Sequence, residues 1–241
     1  MLEAAADVDR ILELFARGGP VFVLLVALAV IATALVLAKT VEFAVRGVGR
    51  HAAAEHAVTL WIAGEPTRAL GVAEVSRSPV ARAVAHAIRG ELRIDAGQST
   101  VREDVERAAV ELLADLRAHM RSLDTIAQVA PLLGLFGTVV GMIETFGAME
   151  AAGAAVDPAA LAGGIWVALL TTAMGLAVAM PTTGFATWFD GRIERERIAM
   201  EALVTSVFTR RLTDRAVSRR ERPARRVSRK APGPNAGGRR T

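Results

Sequence analysis

Two stretches of this chain, Pro20 to Ala38 and Leu123 to Asp190, contain no arginine or lysine, and all 29 basic residues crowd into the remainder. A globular core disperses its apolar side chains at period 2 or 3.6. Long charge-poor runs are instead what a bilayer demands, because a helix there satisfies its backbone internally and offers lipid only apolar side chains. As a soluble protein, 241 residues would suggest one or two domains. A composition 52% hydrophobic and still 22% charged, sorted into blocks, reads instead as an all-α membrane protein. The absence of cysteine excludes a disulfide scaffold.

Three transmembrane helices are expected. The first centres on Val21 to Ala38, 18 residues with Thr33 as the only polar side chain. At about 1.5 Å per residue it covers roughly 27 Å, enough to cross a hydrocarbon core with help from its flanks. The segment before it carries Glu3, Asp7, Asp9 and Glu13 against Arg10 and Arg17, so it lacks the basic start of a signal peptide and is expected to stay as an anchor. The second span lies near Ile126 to Met149 and the third near Gly164 to Phe189. The short link between them holds Gly153, Asp157 and Pro158, which makes the two helices antiparallel neighbours. Trp166 and Trp188 fall near the ends of the third span, where indole rings favour the membrane–water boundary.

Arginine placement sets the direction. Thr40 to Ser122 holds 11 Arg, Gly191 to Thr241 holds 15 Arg plus Lys, and the hairpin holds neither. The positive-inside rule puts the loop and C-terminus in the cytoplasm and the N-terminus and hairpin outside. The expected divisions are an outer amphipathic helix at 1–17, spans at 18–40, 123–149 and 164–190, a helical cytoplasmic loop at 41–122, a hairpin at 150–163 and a basic helix and tail at 191–241.

Val8, Ile11, Leu12 and Phe15 recur at helical spacing before the first span. In the loop, helices are expected from His51 to Ala63, from Thr67 to about Val75 and from Pro79 to about Ile94, separated by Gly64-Glu65-Pro66 and Ser78-Pro79. Thr100 to Glu103 has the form of a capping box. The stripe Val101, Val105, Ala109, Leu112, Leu116, Met120 and Leu123 then predicts one unbroken helix running on into the second span, roughly 73 Å from Val101 to Met149. Charges alternate along it, as in Arg102/Glu106 and Glu103/Arg107, and read as solvated pairs. The histidines His51, His56, His86 and His119 are scattered and suggest no metal site. No nucleophile–base pair or phosphate loop is apparent, so neither an enzyme nor a cofactor is expected. The basic tail after Thr209 has no aromatic residue for base stacking, so anionic lipid rather than nucleic acid is its expected contact.

The spans carry a second pattern. Gly134, Thr138, Gly141 and Thr145 step by 4, 3 and 4, with Gly137 forming a GxxxG pair with Gly141. Gly164, Ala168, Thr172, Gly175 and Ala179 step by 4, 4, 3 and 4. Each helix thus has a narrow face of small and hydroxyl residues, fit for close helix packing or for a lining in which threonines position protons. Glu144 is the single acid between Asp124 and Glu150 and is a functional candidate for that reason, although near the outer end it also reaches headgroups. Pro181 deprives the Ala177 carbonyl of its helical donor and permits a kink.

The strings APLLGLFGTVVGMIETFG from Ala130 and GGIWVALLTTAMGLAVAMP from Gly163 closely resemble the ExbB/TolQ branch of the MotA/TolQ/ExbB proton-channel family. The resemblance covers about residues 10–210. It implies a homopentamer in a bacterial inner membrane around a single-span partner of the ExbD/TolR type, whose transmembrane aspartate carries protons. It also implies a TonB- or TolA-like protein crossing the periplasm, to which the work is passed. The family's pore-lining threonines fall on Thr138 and Thr172, with Thr145 and Thr171 beside them. Many relatives place a glutamate where this chain has Val167, which puts proton coupling in question. A flagellar stator-like subunit, normally of four spans, and a non-conducting membrane scaffold are the rival readings.

Overall fold

The computed structural model describes residues 2–93, 97–152 and 157–209. Gly153 of the hairpin and the basic tail lie outside the described residues, as do the side chains of the Val8–Phe15 stripe. The elements are α1 (Leu2–Arg46), α2 (Ala52–Ile62), α3 (Pro66–Val75), α4 (Pro79–Glu91), α5 (Gln98–Arg117), α6 (Met120–Ala152) and α7 (Pro158–Thr209), with no strand among the described residues. The chain divides into two compact units. One joins Met1–Val48 to Leu113–Arg195, and the other joins Gly49–Leu112 to the stretch from Glu196 onward.

The first unit contains the apolar runs. Three helical stretches are long and apolar enough to cross a membrane, with mean hydropathy 3.1 for the one in α1 and 1.9 for each of the others. The lower pair are the stretches that carry the glycines and threonines. α1 is interrupted at Gly19, which has φ 64° and ψ −174°. The following Pro20 disfavours a helical residue before it, and only glycine takes a positive φ there without steric cost. Val21, Leu25 and Ala32 of α1 then pack with Ile126 and Ala130 of α6 and Val178 and Ala179 of α7.

A second cluster joins Phe43, Leu116, Met120, Leu123, Ala186, Phe189 and Ile193. Beside it the buried Lys39 ammonium donates to Glu42 at 2.9 Å and lies 5.4 Å from the Phe43 ring centroid. Arg46 holds the other Glu42 oxygen at 3.1 Å. α1 ends in a Schellman-type turn: Val48 N–H donates to Phe43 O and Gly47 N–H to Ala44 O, with Gly47 at φ 64°.

Two expectations for the α5–α6 region fail. The helix starts at Gln98 with Val101 N–H on Gly97 O, so Thr100 lies inside the first turn and the capping box is not its cap. Nor is the helix continuous. It breaks after Arg117, and His119 takes φ 65° before α6 begins at Met120. No glycine or proline marks this break. Packing imposes it, since Leu116 and Met120 on either side both bury in the Phe43–Phe189 cluster. A left-handed non-glycine residue costs about 1–2 kcal/mol. His119→Gly is therefore expected to raise stability by about 0.5–1 kcal/mol after glycine's own entropy cost, read as an increase in Tm in micelles. No gain would mean that the turn relaxes.

In the second unit α4 is enclosed: Val80, Ala81, Ala83, Val84, Ala85, Ala87 and Ile88 are all buried. Its many alanines allow neighbours to approach on most sides. The Trp61 indole N–H donates to Val207 O at 3.0 Å, tying α2 to the end of α7. Arg107 turns to Asp104 rather than forming the expected i,i+4 pair, and Arg102 lies over the Phe208 ring. Asp104 also holds His86 at 2.8 Å, and the bonds from His86 and then Arg107 keep its carboxyl below the usual carboxylate range.

Candidate functional site

α6 and α7 meet along a seam of glycine and threonine, with its geometry set by how little side chain stands between the backbones. A Cβ on Gly134 would lie 2.8 Å from Thr171 O and 3.0 Å from Thr172 Cα. One on Gly175 would lie 2.6 Å from Ala130 O and 3.1 Å from Gly134 Cα. Further along, Gly137 abuts the Thr171 side chain, Gly141 abuts Ala168, and Gly164 abuts Thr145. The partners are antiparallel, each step of three or four on one helix answered by a step of three or four on the other. The small-residue faces read from the sequence are thus brought together against each other within one chain.

The threonines divide into two kinds. Thr171 is buried, and its hydroxyl lies 2.7 Å from Ala168 O on its own helix and 3.2 Å from Gly134 O across the seam. Thr172 Oγ1 donates to the same Gly134 carbonyl at 3.1 Å. Two hydroxyls therefore share one acceptor, and Thr171 has a choice of two carbonyls for its single proton. A hydroxyl so placed can swing its hydrogen between helices while its oxygen still accepts one. By contrast, Thr138 donates to Leu135 O at 2.6 Å and Thr145 to Gly141 O at 2.7 Å, each back onto its own helix. Thr138 does not cross the seam. Thr171, which the α7 periodicity set beside the face rather than on it, is the most enclosed of the four.

Glu144 is exposed on α6, off the seam. The pairs Gly141–Ala168 and Thr145–Gly164 put it about one residue's rise from the level of Trp166, which is itself 68% exposed. That level suits a boundary residue. Val167 is half-buried and lies between Gly164 and Thr171 on α7, so the position holds an apolar side chain within a turn of both.

Besides His86–Asp104, sequence reading missed a second His–acid pair, and this one is buried. Glu196 of α7 is fully buried, and its Oε1 accepts from the Gly49 N–H and holds His51 Nε2 at 2.8 Å. The partners are 145 residues apart, and no spacing rule connects them. A buried acid in an otherwise amphipathic helix was the available signal: Glu196 falls in step with Ile193 and Met200, both buried.

The model of the MotA/TolQ/ExbB proton channel family matches residues 75–202, which include both seam helices. Curated relatives include a biopolymer transport protein ExbB homolog of Methanothermobacter thermautotrophicus, 38% identical over 120 residues, 50% of this chain and 41% of that protein. Biopolymer transport protein exbB1 of Vibrio cholerae is 45% identical over 67 residues, 28% of this chain and 29% of that one. A Synechocystis ExbB-like protein is 29% identical over 173 residues, covering 71% of this chain and 81% of its own length. The match spans less than half the length of the first two. Their names describe transport proteins, not enzymes. With more than half of its residues matched, the chain belongs to the MotA/TolQ/ExbB proton channel family.

Proposed function

We propose that this chain is a proton-conducting subunit of an energy-transducing motor in a bacterial inner membrane, with its N-terminus periplasmic and its C-terminus cytoplasmic. In this reading five copies surround an ExbD/TolR-like single-span protein with a transmembrane aspartate. Proton flow through the assembly does work on a TonB- or TolA-like protein that spans the periplasm, for import or for envelope maintenance. The observation that carries the reading is the shared use of Gly134 O by Thr171 and Thr172. Two hydroxyls held in an apolar seam can position a proton path without a charge on this subunit, leaving the titrating acid to the partner. Thr138 and Thr145 extend the hydroxyl series along α6, and Glu144 stands at its outer end. The arginine distribution supports the direction, and the apolar helices support the bilayer as the surrounding phase.

The test is proton uptake by vesicles that contain this protein and its aspartate-bearing partner. Thr172→Val is expected to lower uptake by roughly tenfold, the factor that about 1.4 kcal/mol at the barrier represents. Thr172→Ser is expected to retain it, and assembly is expected to survive in both. Unchanged uptake in an assembled Thr172→Val protein overturns the reading.

One observation favours a second reading, a non-conducting scaffold of the same fold. Val167 cannot titrate, and the glycines of the seam pack closely against the facing helix. A scaffold requires no acid-bearing partner, so co-purification of a single-span protein with a membrane aspartate counts against it.

A further inference from the structure

The Glu196 carboxylate is in an unusual position for a group with no part in the proposed proton path. It is 0% exposed. Both of its bonds fall on one oxygen, from the Gly49 N–H and His51, while Oε2 is buried without a partner. Gly49 has φ 89°, a left-handed turn that brings the chain back toward α7 just before α2 begins. A buried carboxylate is costly unless its charge is matched; an imidazolium matches that charge, whereas a neutral imidazole offers only a hydrogen bond.

We propose that His51 and Glu196 form a protonation-dependent clasp that fastens the segment 49–51 onto α7, closed with His51 charged and loosened with His51 neutral. The surroundings leave Glu196 as the dominant influence. Its hydrogen bond is the largest cause raising His51 above its ordinary 6.5; burial opposes this, and the charges of Glu196 and of Glu55, one turn into α2, add to it. The other charged groups on these elements are engaged or exposed elsewhere. Arg197 pairs with Glu201 at 3.6 Å, Arg192 lies over the Trp188 ring with its Nε buried and without a hydrogen-bond partner, Arg102 lies over Phe208, and Glu194 and Arg195 are exposed. Arg50, adjacent to His51, has its own interaction.

The sign follows from linkage. His51 binds its proton more tightly folded than unfolded, so the clasp contributes fully below its ordinary 6.5 and the contribution is lost as pH rises through the folded value. Which compartment is sensed rests on the proposed topology: with this unit in the cytoplasm, inward proton flow tightens the clasp. α7 is the same helix that carries Thr171 and Thr172.

The test uses the full chain in nanodiscs with isotope-labelled histidine, the His51 resonance being assigned by its loss in His51→Gln. The His51 midpoint is expected above 6.5, and Glu196→Gln is expected to bring it down. Amide exchange at Gly49 and the first turn of α2, corrected for intrinsic rate, is expected to lose protection several-fold between pH 6 and pH 8.5. His51→Gln keeps an amide donor without a titrating charge, and that pH dependence is expected to vanish in it. If Glu196→Gln does not fold, the His51→Gln comparison still decides. A His51 midpoint at or below 6.5, or the same pH-dependent loss in His51→Gln, overturns the clasp. Vesicle uptake is measured separately, so loss of the channel reading leaves the clasp standing.

Discussion

Gly175→Ala is expected to destabilise the first unit by about 1–3 kcal/mol although alanine is the better helix former. The added methyl would lie 2.6 Å from Ala130 O and 3.1 Å from Gly134 Cα, which are backbone atoms and cannot rotate away. The two helices must separate by several tenths of an ångström. That separation also lengthens the bonds from Thr171 and Thr172 to Gly134 O, already 3.2 and 3.1 Å. Between helices in lipid there is no hydrophobic gain to offset the loss, because lipid is as apolar as leucine; close packing and interhelical hydrogen bonds supply most of the association. Gly175→Leu is expected to keep the seam from closing at all. Gly184→Ala is the control, with nothing within 4 Å of its Cβ position, and it is expected to be neutral or stabilising by up to about 1 kcal/mol. Unfolding in micelles compares the three. If Gly175→Ala is as stable as Gly184→Ala, the seam is looser than its geometry indicates.

The seam is also where sequence carried most information about the site. Small residues at steps of three and four identify a close-approach face, and an antiparallel hairpin leaves the neighbouring helix as its nearest partner. Gly134, Gly141, Gly164, Ala168 and Gly175 were legible on those grounds. That Thr171 reaches across beside Thr172 was not. The two differ by about 100° around the helix, so the periodicity places only Thr172 on the face, and the second contact depends on the rotation of α7 against α6, which spacing fixes only to within a residue. The Gly19 break was legible because Gly19-Pro20 has a local steric cause. His119 has none: its conformation is set by where Leu116 and Met120 bury, so only the assembled cluster reveals the break. The capping-box reading of Thr100 failed for a related reason. The helix extends back to Gln98, and a motif of four residues cannot exclude an earlier start. His51 and Glu196 lie beyond any such argument, since a contact across 145 residues leaves no periodic trace.

Phe189→Ala is expected to have the largest effect of any single truncation in the first unit, about 3–5 kcal/mol. Phe189 is fully buried, with its ring 5.2 Å from Phe43 at 73° and 5.1 Å from Trp188 at 65°, both edge-to-face geometries. Each such pair adds about 0.5–1.5 kcal/mol beyond the area it buries. Its neighbours Leu116, Met120, Leu123 and Ile193 are also buried, so the space left by truncation cannot readily be refilled from outside. The surroundings make the cost larger than at the seam. Charged residues flank this cluster on every contributing stretch: Lys39, Glu42 and Arg46 on α1, Asp115, Arg117 and Arg121 around the α5–α6 break, Asp190 and Arg192 on α7. Where those charges keep the cluster in contact with water, transfer free energy adds to lost packing. Gly175 lies among apolar neighbours, where packing alone counts. Phe189→Leu, which fills most of the volume, is expected to cost under about 1.5 kcal/mol. A Phe43→Ala/Phe189→Ala cycle is expected to show coupling of about 0.5–1.5 kcal/mol, measured by denaturant unfolding in micelles. A Phe189→Ala loss below about 1 kcal/mol would mean that the cluster is not closed as described and that the helices meeting there are held by the membrane instead.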